Sequence, residues 1–470
     1  MDVIIIGGGV IGCLLAKKLS TFQLNLTLIE ASDDVANKTT MANSAIIHTG
    51  YDPEEGTLKA KLNVLGSKQY EKLAHQLSAY YEQVGSLVVG NDLSQIEELY
   101  QRSISRDIIC EKLDQNQLLE KEPNLNKDIN YGLYFPQTAI VNPMEIAINS
   151  MEVALINETK LVLNEEVINI EKDDLGFVVT TTKNTYHCDI VINCSGVNSS
   201  KVYELINPHQ NEYSITCKKG EYYVMDKNYE NLINHIIFPL PDENGKGVLL
   251  VKSYGKNILV GPTSLVMDND DESNTEMGLN DVKTKAKKLI SHIDYRQVIR
   301  SFAGVRATTN RHDFIIEESK INNFYNIGGI DSPGLASAPA IVDYFINDIL
   351  KASLVKKEVY EDSCPHFICV DKLSLEKKQE AFKHNCNYGK IVCRCENVSY
   401  QEIMDSLHRL CHANSVVGVK KRVRCGMGRC QGGFCENQIV KMISQELNIP
   451  LKEVNYKGED TPILKESIGD

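Results

Sequence analysis

The residues with the most specific chemistry are five cysteines in the segments CRC and CGMGRCQGGFC. Four thiolates in two close pairs suit a [2Fe–2S] cluster, because each iron takes two protein sulfurs and completes its tetrahedron with bridging sulfide. The first pair is Cys393 with Cys395, and the second is Cys425 with Cys430 or Cys430 with Cys435. A structural zinc site with four cysteine ligands is the alternative, although the C-x-x-C spacing of zinc knuckles is absent.

A second chemical signal lies in the first twelve residues, MDVIIIGGGVIG. Gly7, Gly9 and Gly12 fall on the G-x-G-x-x-G spacing between an apolar strand and a helical pattern, which is the order of a dinucleotide-binding turn. We expect Gly7 to allow the tight turn, Gly9 the approach of a pyrophosphate and Gly12 the packing of helix on strand. The next strand ends at Glu30, whose carboxylate suits a ribose. The alternative is a glycine-tolerant turn without ligand; no second full glycine spacing supports an NAD(P)H site.

The composition limits the class of protein and its partners. A chain of 470 residues is expected to form two or three domains, and 42% hydrophobic residues are typical of a globular protein. The net charge of −13 argues against nucleic acid or an anionic membrane surface as main partner. No leader precedes the first strand and no run reaches the roughly 18 apolar residues that span a bilayer, which predicts a cytoplasmic protein. Because the cytoplasm keeps thiols reduced, the 14 cysteines are expected to be free thiols or metal ligands.

The elements that position these residues come from distant parts of the chain. The order of strand, turn and helix recurs where YNIGGI, DSPG and LASAPAIVDYFINDIL follow one another, so we predict an α/β, Rossmann-like domain assembled from discontinuous segments. An inserted domain with a mixed sheet and a small, mainly helical cysteine domain complete the chain. The predicted boundaries are 1–80, 141–212 and 311–351 for the dinucleotide domain, 81–140 and 213–310 for the substrate domain, 352–388 for a charged, irregular linker, 389–450 for the cysteine domain and 451–470 for a polar tail.

The chain resembles two known families. About 350 N-terminal residues are similar to FAD-dependent oxidoreductases of the D-amino-acid oxidase and glycerol-3-phosphate dehydrogenase superfamily, and NSxxIHxGxD is most similar to its glycerol-3-phosphate and L-2-hydroxyglutarate branch. The cysteine segment resembles the bacterioferritin-associated-ferredoxin-like [2Fe–2S] module that ends the large subunit of anaerobic glycerol-3-phosphate dehydrogenase. The motifs are GGGVIG at 7–12, NSAIIHTGYD at 43–52, KGEYY at 219–223, GVR at 304–306, GGIDSPGLASAPAI at 328–341, CRCENVS and RxxGMGRCQGGFC.

The resemblance implies FAD as the dinucleotide and places a catalytic histidine at His48. An imidazole there can take a substrate hydroxyl proton while the carbon-bound hydrogen leaves as hydride. The alternative is a loop histidine that hydrogen-bonds only to backbone groups. The implied cofactor-binding residues are Gly7, Gly9, Gly12, Glu30, Ser44, Ser195, Gly196, Gly329, Gly334 and Leu335.

Arg306 in the GVR motif matches the family's substrate arginine. A guanidinium binds phosphate or carboxylate through two parallel hydrogen bonds and keeps its proton. Lys252 is predicted to assist, although its segment VLLVKSYGKN departs from the VTPTxxGN pattern of relatives, and Ser332 completes the predicted substrate-binding set. Ser332 precedes a predicted helix start, where amides can stabilise negative charge on a reduced flavin.

The resemblance also selects Cys393, Cys395, Cys430 and Cys435 as cluster ligands and leaves Cys425 spare. It implies oxidation of sn-glycerol 3-phosphate to dihydroxyacetone phosphate, with electrons leaving through the cluster to a partner flavoprotein or quinone-linked subunit, which can attach the protein to a membrane. L-2-hydroxyglutarate or another 2-hydroxy acid is the alternative small anionic substrate. A non-catalytic electron-transfer subunit is the alternative of a different class.

Overall fold

A computed structural model describes residues 1–208, 212–241 and 247–464 of the chain. Parts of three predicted segments lie outside the described residues: 209–211 of the dinucleotide domain, 242–246 of the substrate domain and 465–470 of the tail.

The described strands are, in chain order, β1 (Asp2–Ile6), β2 (Asn25–Ile29), β3 (Ile46–Ile47), β4 (Tyr81–Gln83), β5 (Ser86–Gly90), β6 (Glu111–Asp114), β7 (Tyr131–Phe135), β8 (Ala139–Val141), β9 (Lys160–Val162), β10 (Val167–Asp173), β11 (Gly176–Thr181), β12 (Thr185–Cys188), β13 (Ile190–Asn193), β14 (Ile215–Met225), β15 (Ile236–Pro239), β16 (Leu249–Lys252), β17 (Ile258–Gly261), β18 (Leu265–Met267), β19 (Val298–Thr309), β20 (Ile315–Glu318), β21 (Phe324–Gly328), β22 (Ile391–Cys393) and β23 (Val398–Ser399). The described α-helices are α1 (Val10–Leu19), α2 (Leu58–Gln76), α3 (Leu93–Ser105), α4 (Gln115–Lys121), α5 (Pro143–Ile156), α6 (Ser199–Glu204), α7 (Glu276–Ala286), α8 (Gly334–Tyr344), α9 (Leu375–His384), α10 (Tyr400–His408), α11 (Val416–Val423) and α12 (Glu436–Glu446).

A six-stranded sheet, ordered β20-β21-β13-β1-β2-β9, forms the centre of the body. β1 pairs in parallel with both β2 and β13, and only the edge strand β20 runs antiparallel to its neighbour. The last four residues of β1 are buried, as expected for a strand covered on both faces. α1 packs against α5 and α8 over this sheet. The predicted Rossmann-like fold assembled from discontinuous segments is therefore confirmed.

A nine-stranded mixed sheet stands beside the parallel sheet. Its long strands β14 and β19 pair antiparallel along nearly their whole length, while β5 and β15 pair in parallel. Two hydrophobic clusters cover this sheet, one around Met225 and Leu250 and the other around Phe238 and Val251. The mixed sheet predicted from the sequence is present.

The C-terminal part contains a separate small core and an ordered connection. α10, α11 and α12 enclose a cluster that includes Ile403, Val419 and Ile443, which confirms a small helical domain. The preceding segment was expected to be irregular, but it contains α9, whose first turn is capped by the Ser374 side chain accepting from the Lys377 amide. The run LEKKQEAFKH is rich in helix formers and buries only Ala381, so local propensity and the cap explain this helix. No described helix is long and apolar enough to cross a membrane.

Candidate cofactor cavity and cysteine centre

The glycine turn after β1 leaves space for a ligand. Gly7 has a φ of +106°, and a Cβ there would lie 2.6 Å from the Cys194 carbonyl oxygen. A Cβ on Gly12 would lie 2.0 Å from the Gly7 carbonyl oxygen, which would prevent α1 from packing so closely on β1. At Gly9 the nearest atom to an added Cβ is the Thr40 hydroxyl oxygen at 3.5 Å, an ordinary contact. The protein alone would therefore accept a side chain at Gly9. A glycine is expected at such a position where the backbone must let a pyrophosphate come close.

Glu30 is fixed at the end of β2 by two backbone amides. Its Oε2 accepts a hydrogen bond from the Gly8 N–H at 2.6 Å, and its Oε1 accepts one from the Ser32 N–H at 2.9 Å. The carboxylate therefore faces the glycine turn in one orientation. This placement suits the predicted contact with a ribose.

A cavity of about 860 Å³ extends from the glycine turn to the mixed sheet, a volume in the range of small-molecule and cofactor sites. Gly12 and Gly329, which are predicted to bind the cofactor, do not line it, and a Cβ on Gly329 would lie 2.5 Å from the Thr309 side chain. The predicted residues that do line it are Gly7, Gly9, Glu30, Ser44, His48, Ser195, Gly196, Arg306, Ser332, Gly334 and Leu335.

His48 lies directly after β3 and forms part of the cavity wall. Its side chain is buried, and its ring packs against Phe238 with the ring centroids 5.4 Å apart. Its carbonyl oxygen accepts a hydrogen bond from the Asn63 side chain at 2.7 Å. These contacts hold the imidazole at the cavity wall, where it can accept a proton from a bound hydroxyl group.

The loop before His48 packs on the strand that carries Arg306. The Thr39 hydroxyl donates a hydrogen bond to the Val305 carbonyl oxygen at 2.6 Å. A Cβ on Gly304 would lie 2.0 Å from the Ala42 carbonyl oxygen, so the glycine of the GVR motif permits this close approach. The packing brings His48 and Arg306 into one cavity although they are 258 positions apart in the sequence.

Arg306 is positioned by the pairing of β19 with β14. Its Nη2 donates a hydrogen bond to the Thr263 carbonyl oxygen at 3.1 Å, the one hydrogen bond of this guanidinium within the described residues. A Cβ on Gly220 would lie 2.4 Å from the same nitrogen, which explains the glycine of the KGEYY motif. Since a guanidinium carries five N–H donors, most remain available for an anion.

Lys218 also lines the cavity and was missed by the sequence analysis. It lies opposite Arg306 in the register of β14 and β19. The neighbouring Lys219 is 1% exposed and pairs with Asp271 at 3.2 Å, away from the cavity. Successive strand residues point to opposite faces of a sheet. Only the strand register therefore reveals which of the two lysines, Lys218 or Lys219, faces the cavity.

Lys252 does not reach the cavity. It ends β16, and its ammonium pairs with Glu230 at 3.3 Å. The hairpin that follows contacts the cysteine domain instead, because the Arg424 guanidinium lies 4.8 Å from the centre of the Tyr254 ring. Lys252, which the sequence predicts to assist in substrate binding, therefore does not line the cavity, and the KSYGKN segment contacts the cysteine domain.

The start of α8 faces the cavity from the other side. Ser332, Gly334 and Leu335 all line it, and α8 begins at Gly334. The preceding Asp331 pairs with Lys59 at 2.7 Å, which fixes the turn before the helix. The Gly334 amide donates to the Asp331 carbonyl oxygen within this turn, and the positive end of the helix favours negative charge on a bound group.

The five cysteines form an inner and an outer group. The Sγ atoms of Cys393, Cys425 and Cys435 all lie within 4.8 Å of one another, and all three residues are buried. The outer group consists of Cys395, which is exposed, and Cys430, which is partly buried. Hydrogen bonds from Cys425 and Cys435 lower the pKa of the Cys393 thiol. Thiols this close suit a metal centre with cysteine ligands.

A buried ion-pair network attaches the cysteine domain to the cavity loop. Asp34 pairs with Arg422 at 2.6 Å and with Lys421 at 2.9 Å, and all three side chains are at most 2% exposed. Burial alone would raise the pKa of the Asp34 carboxyl, but the charges of Arg422 and Lys421 lower it to about 2. Lys421 also donates to the Asn37 side-chain oxygen at 2.6 Å, and Asn37 lines the cavity. The loop that borders the cavity therefore also contacts the cysteine domain.

A second buried pair holds the same domain on α5. Arg409 Nε lies 3.0 Å from a Glu152 carboxylate oxygen, with both side chains at most 6% exposed. The same carboxylate accepts hydrogen bonds from the Leu410 and Cys411 amides. Every charge in this contact thus has a partner, as burial requires.

Two family models match the two parts of the chain. Residues 2–345 match the FAD dependent oxidoreductase family, and residues 391–445 match the BFD-like [2Fe–2S] binding domain. The second match includes all five cysteines of the centre and favours the cluster over structural zinc.

Curated relatives and solved structures agree with these matches. A glycerol 3-phosphate dehydrogenase of Caloramator mitchellensis is 40% identical over 98% of both chains. The structure of an L-alpha-glycerophosphate oxidase of Mycoplasma pneumoniae with FAD bound covers 77% of this chain and 97% of its own, with 30% identity and a TM-score of 0.72. An L-2-hydroxyglutarate dehydrogenase of Escherichia coli is 26% identical over 56% of this chain and 64% of its own. The chain belongs to the FAD-dependent oxidoreductase family and carries a C-terminal BFD-like [2Fe–2S] binding domain.

Proposed function

We propose that the protein is a dehydrogenase that oxidises sn-glycerol 3-phosphate to dihydroxyacetone phosphate. The observation that carries this proposal is that a buried histidine, His48, and an arginine, Arg306, line one cavity together with the glycine turn. The relative named glycerol 3-phosphate dehydrogenase supports the substrate, because its match spans nearly the whole chain.

The side chains divide the reaction between them. Arg306 binds the substrate phosphate through paired hydrogen bonds, and Lys218 adds a second positive charge on the neighbouring strand. His48 takes the proton of the substrate hydroxyl group while the carbon that carries this group loses its hydrogen as hydride, so that the alcohol becomes a ketone. When bound, FAD supplies the acceptor for that hydride. The amides at the start of α8 stabilise negative charge on the bound cofactor.

The cysteine domain provides the exit for electrons. Substrate oxidation releases two electrons, whereas an iron–sulfur cluster passes them one at a time to a separate acceptor. We propose a partner flavoprotein or a quinone-linked subunit as this acceptor, with membrane association through that partner. Cys393, Cys395, Cys430 and Cys435 are the proposed cluster ligands.

Anaerobic stopped-flow reduction of the flavin tests the substrate directly. Glycerol 3-phosphate should bleach the flavin absorbance, while L-2-hydroxyglutarate and other 2-hydroxy acids should not. Bleaching by a 2-hydroxy acid alone would identify the alternative substrate class. No bleaching by any compound of the panel would support a non-catalytic electron-transfer subunit instead.

Substitutions separate the roles of the cavity residues. His48→Asn should slow flavin reduction by about 10²- to 10⁴-fold, the usual contribution of a general base, while FAD stays bound. Arg306→Ala should raise the concentration of glycerol 3-phosphate needed for half-maximal reduction by about tenfold or more, because a charged hydrogen-bond partner is lost. Lys252→Ala is the matched control and should leave that concentration unchanged, since Lys252 lies outside the cavity wall. Equal effects at Lys252 and Arg306 would contradict the assignment.

A further inference from the structure

Cys425 lies inside the cysteine centre. Cys393, Cys425 and Cys435 are each 1% exposed, and their Sγ atoms lie within 4.8 Å of one another. We call these three residues the inner triad. Cys395, which is exposed, and Cys430, which is partly buried, form the outer pair.

The spacing of the cysteines is symmetric about Cys430. Four residues separate Cys425 from Cys430, and four separate Cys430 from Cys435. Arg424, with a φ of +60°, turns the chain from α11 into Cys425, and α12 begins directly after Cys435. Cys425 and Cys435 are therefore each held by the end of a helix, and neither depends on a free loop for its position.

The outer pair is held in place by a glycine of the connecting loop. A Cβ on Gly428 would lie 2.3 Å from the Cβ of Cys395, so the loop between Cys425 and Cys430 passes directly over Cys395. This contact brings Cys430 to Cys395. It leaves both Cys425 and Cys435 beside Cys393.

We propose that Cys425 and Cys435 are interchangeable ligands of one iron of the cluster. Each iron of a [2Fe–2S] cluster takes two protein sulfurs, so the outer pair binds one iron and Cys393 binds the other with one further thiolate. Either remaining member of the inner triad fills that position, and the other stays beside it as a reserve thiol. This inference rests on the proposed function of the domain as an electron exit and specifies the ligands of its cluster.

Alanine substitutions in the full-length protein test this proposal. Cys425→Ala and Cys435→Ala should each retain about two irons and two acid-labile sulfides per chain, the content of one [2Fe–2S] cluster. Each should also show the S = 1/2 electron paramagnetic resonance signal after dithionite reduction. The two variants should differ in their g values, because the ligand of one iron differs. The double variant should lose at least nine-tenths of the iron, and Cys430→Ala should lose a comparable fraction.

Cys386→Ala is the matched control, since Cys386 is an exposed cysteine outside both groups, and it should retain iron and signal unchanged. Loss of iron in Cys435→Ala but not in Cys425→Ala, with bound FAD and helical circular dichroism preserved, would show that Cys425 is only a spare thiol and overturn the proposal. The reverse result would make Cys425 a sole ligand and overturn it equally, as would stoichiometric zinc in the unmodified protein. These readouts need no substrate, so they fail or succeed independently of glycerol 3-phosphate oxidation.

Discussion

The flavin cavity and the cysteine centre are built in opposite ways. The residues that line the cavity range from Ile6 to Ala336 in the sequence, and the shape of the cavity depends on strand pairing and on glycines that allow close contact between backbones. The five cysteines lie in a short stretch, from Cys393 at the end of β22 to Cys435 at the start of α12. Tertiary packing therefore maintains the cavity, whereas a metal ion or cluster would cross-link the cysteine centre. A substitution that disrupts one site should therefore leave the other intact, except where the Asp34 network joins them.

The largest expected effect comes from Gly12→Ala, which tests this independence. The added methyl group would lie 2.0 Å from the Gly7 carbonyl oxygen, a backbone atom that cannot move without separating α1 from β1. We expect a cost of about 5 kcal/mol, at the upper end for single substitutions, and loss of nearly all bound FAD. Flavin absorbance and iron content per chain measure the two sites separately, and the iron content should be preserved.

Gly9→Ala is a second test of the independence of the two sites. Its added Cβ meets no protein atom closer than 3.5 Å, so thermal stability without flavin should stay close to that of the unmodified protein while FAD binding weakens. Loss of iron together with FAD in Gly12→Ala would show that the cysteine domain needs an intact cavity to hold its metal. The two regions would then form one cooperative unit.

Asp34→Asn tests the junction between the two regions. The change leaves Arg422 and Lys421 buried without their carboxylate partner, which typically costs about 3–5 kcal/mol. We expect the lower end of this range, because Lys421 still donates to Asn37. Faster amide hydrogen exchange of α11 should report the loosened domain. Glu459→Gln is the control: its pair with Lys183 also joins body and tail but is about half exposed, and should contribute less than about 1 kcal/mol.

The pH dependence of stability follows from the same carboxyl. The pKa of Asp34 is lowered from 3.8 to about 2 in the folded protein, so its charged form stabilises the fold above about pH 4, and this contribution disappears as the pH falls through 2. The shift corresponds to about 2 kcal/mol. The difference in unfolding free energy between the unmodified protein and Asp34→Asn should therefore shrink as the pH is lowered from 5 towards 2. A constant difference would assign the effect of the substitution to packing.

The contrast between the regions also explains what could be predicted from the sequence. The glycine spacing and the cysteine pairs are local signals, and the sheet built from discontinuous segments followed from recurring strand, turn and helix patterns. The orientation of Lys218 required the register of β14 with β19. The pair of Asp34 with Arg422 joins residues 388 positions apart and carries no local pattern. The position of Lys252 outside the cavity wall follows from a hairpin that turns towards the cysteine domain, a tertiary contact that propensity does not reveal.

The smallest effect is expected at this hairpin, where the mixed sheet meets the cysteine domain. The Arg424 guanidinium lies 4.8 Å from the centre of the Tyr254 ring, and Arg424 directly precedes Cys425. Tyr254→Leu should remove a cation–π contact and loosen the cysteine domain by about 1 kcal/mol, measured by hydrogen exchange of the segment around Cys425. Tyr254→Phe keeps the ring and should have a smaller effect, since it removes the hydroxyl contacts, among them the one with the Met427 sulfur at 3.9 Å, and leaves the cation–π contact in place. Equal effects of the two substitutions would assign the contact to the hydroxyl group, and no effect of either would show that the Tyr254 ring does not help to hold the cysteine domain on the mixed sheet.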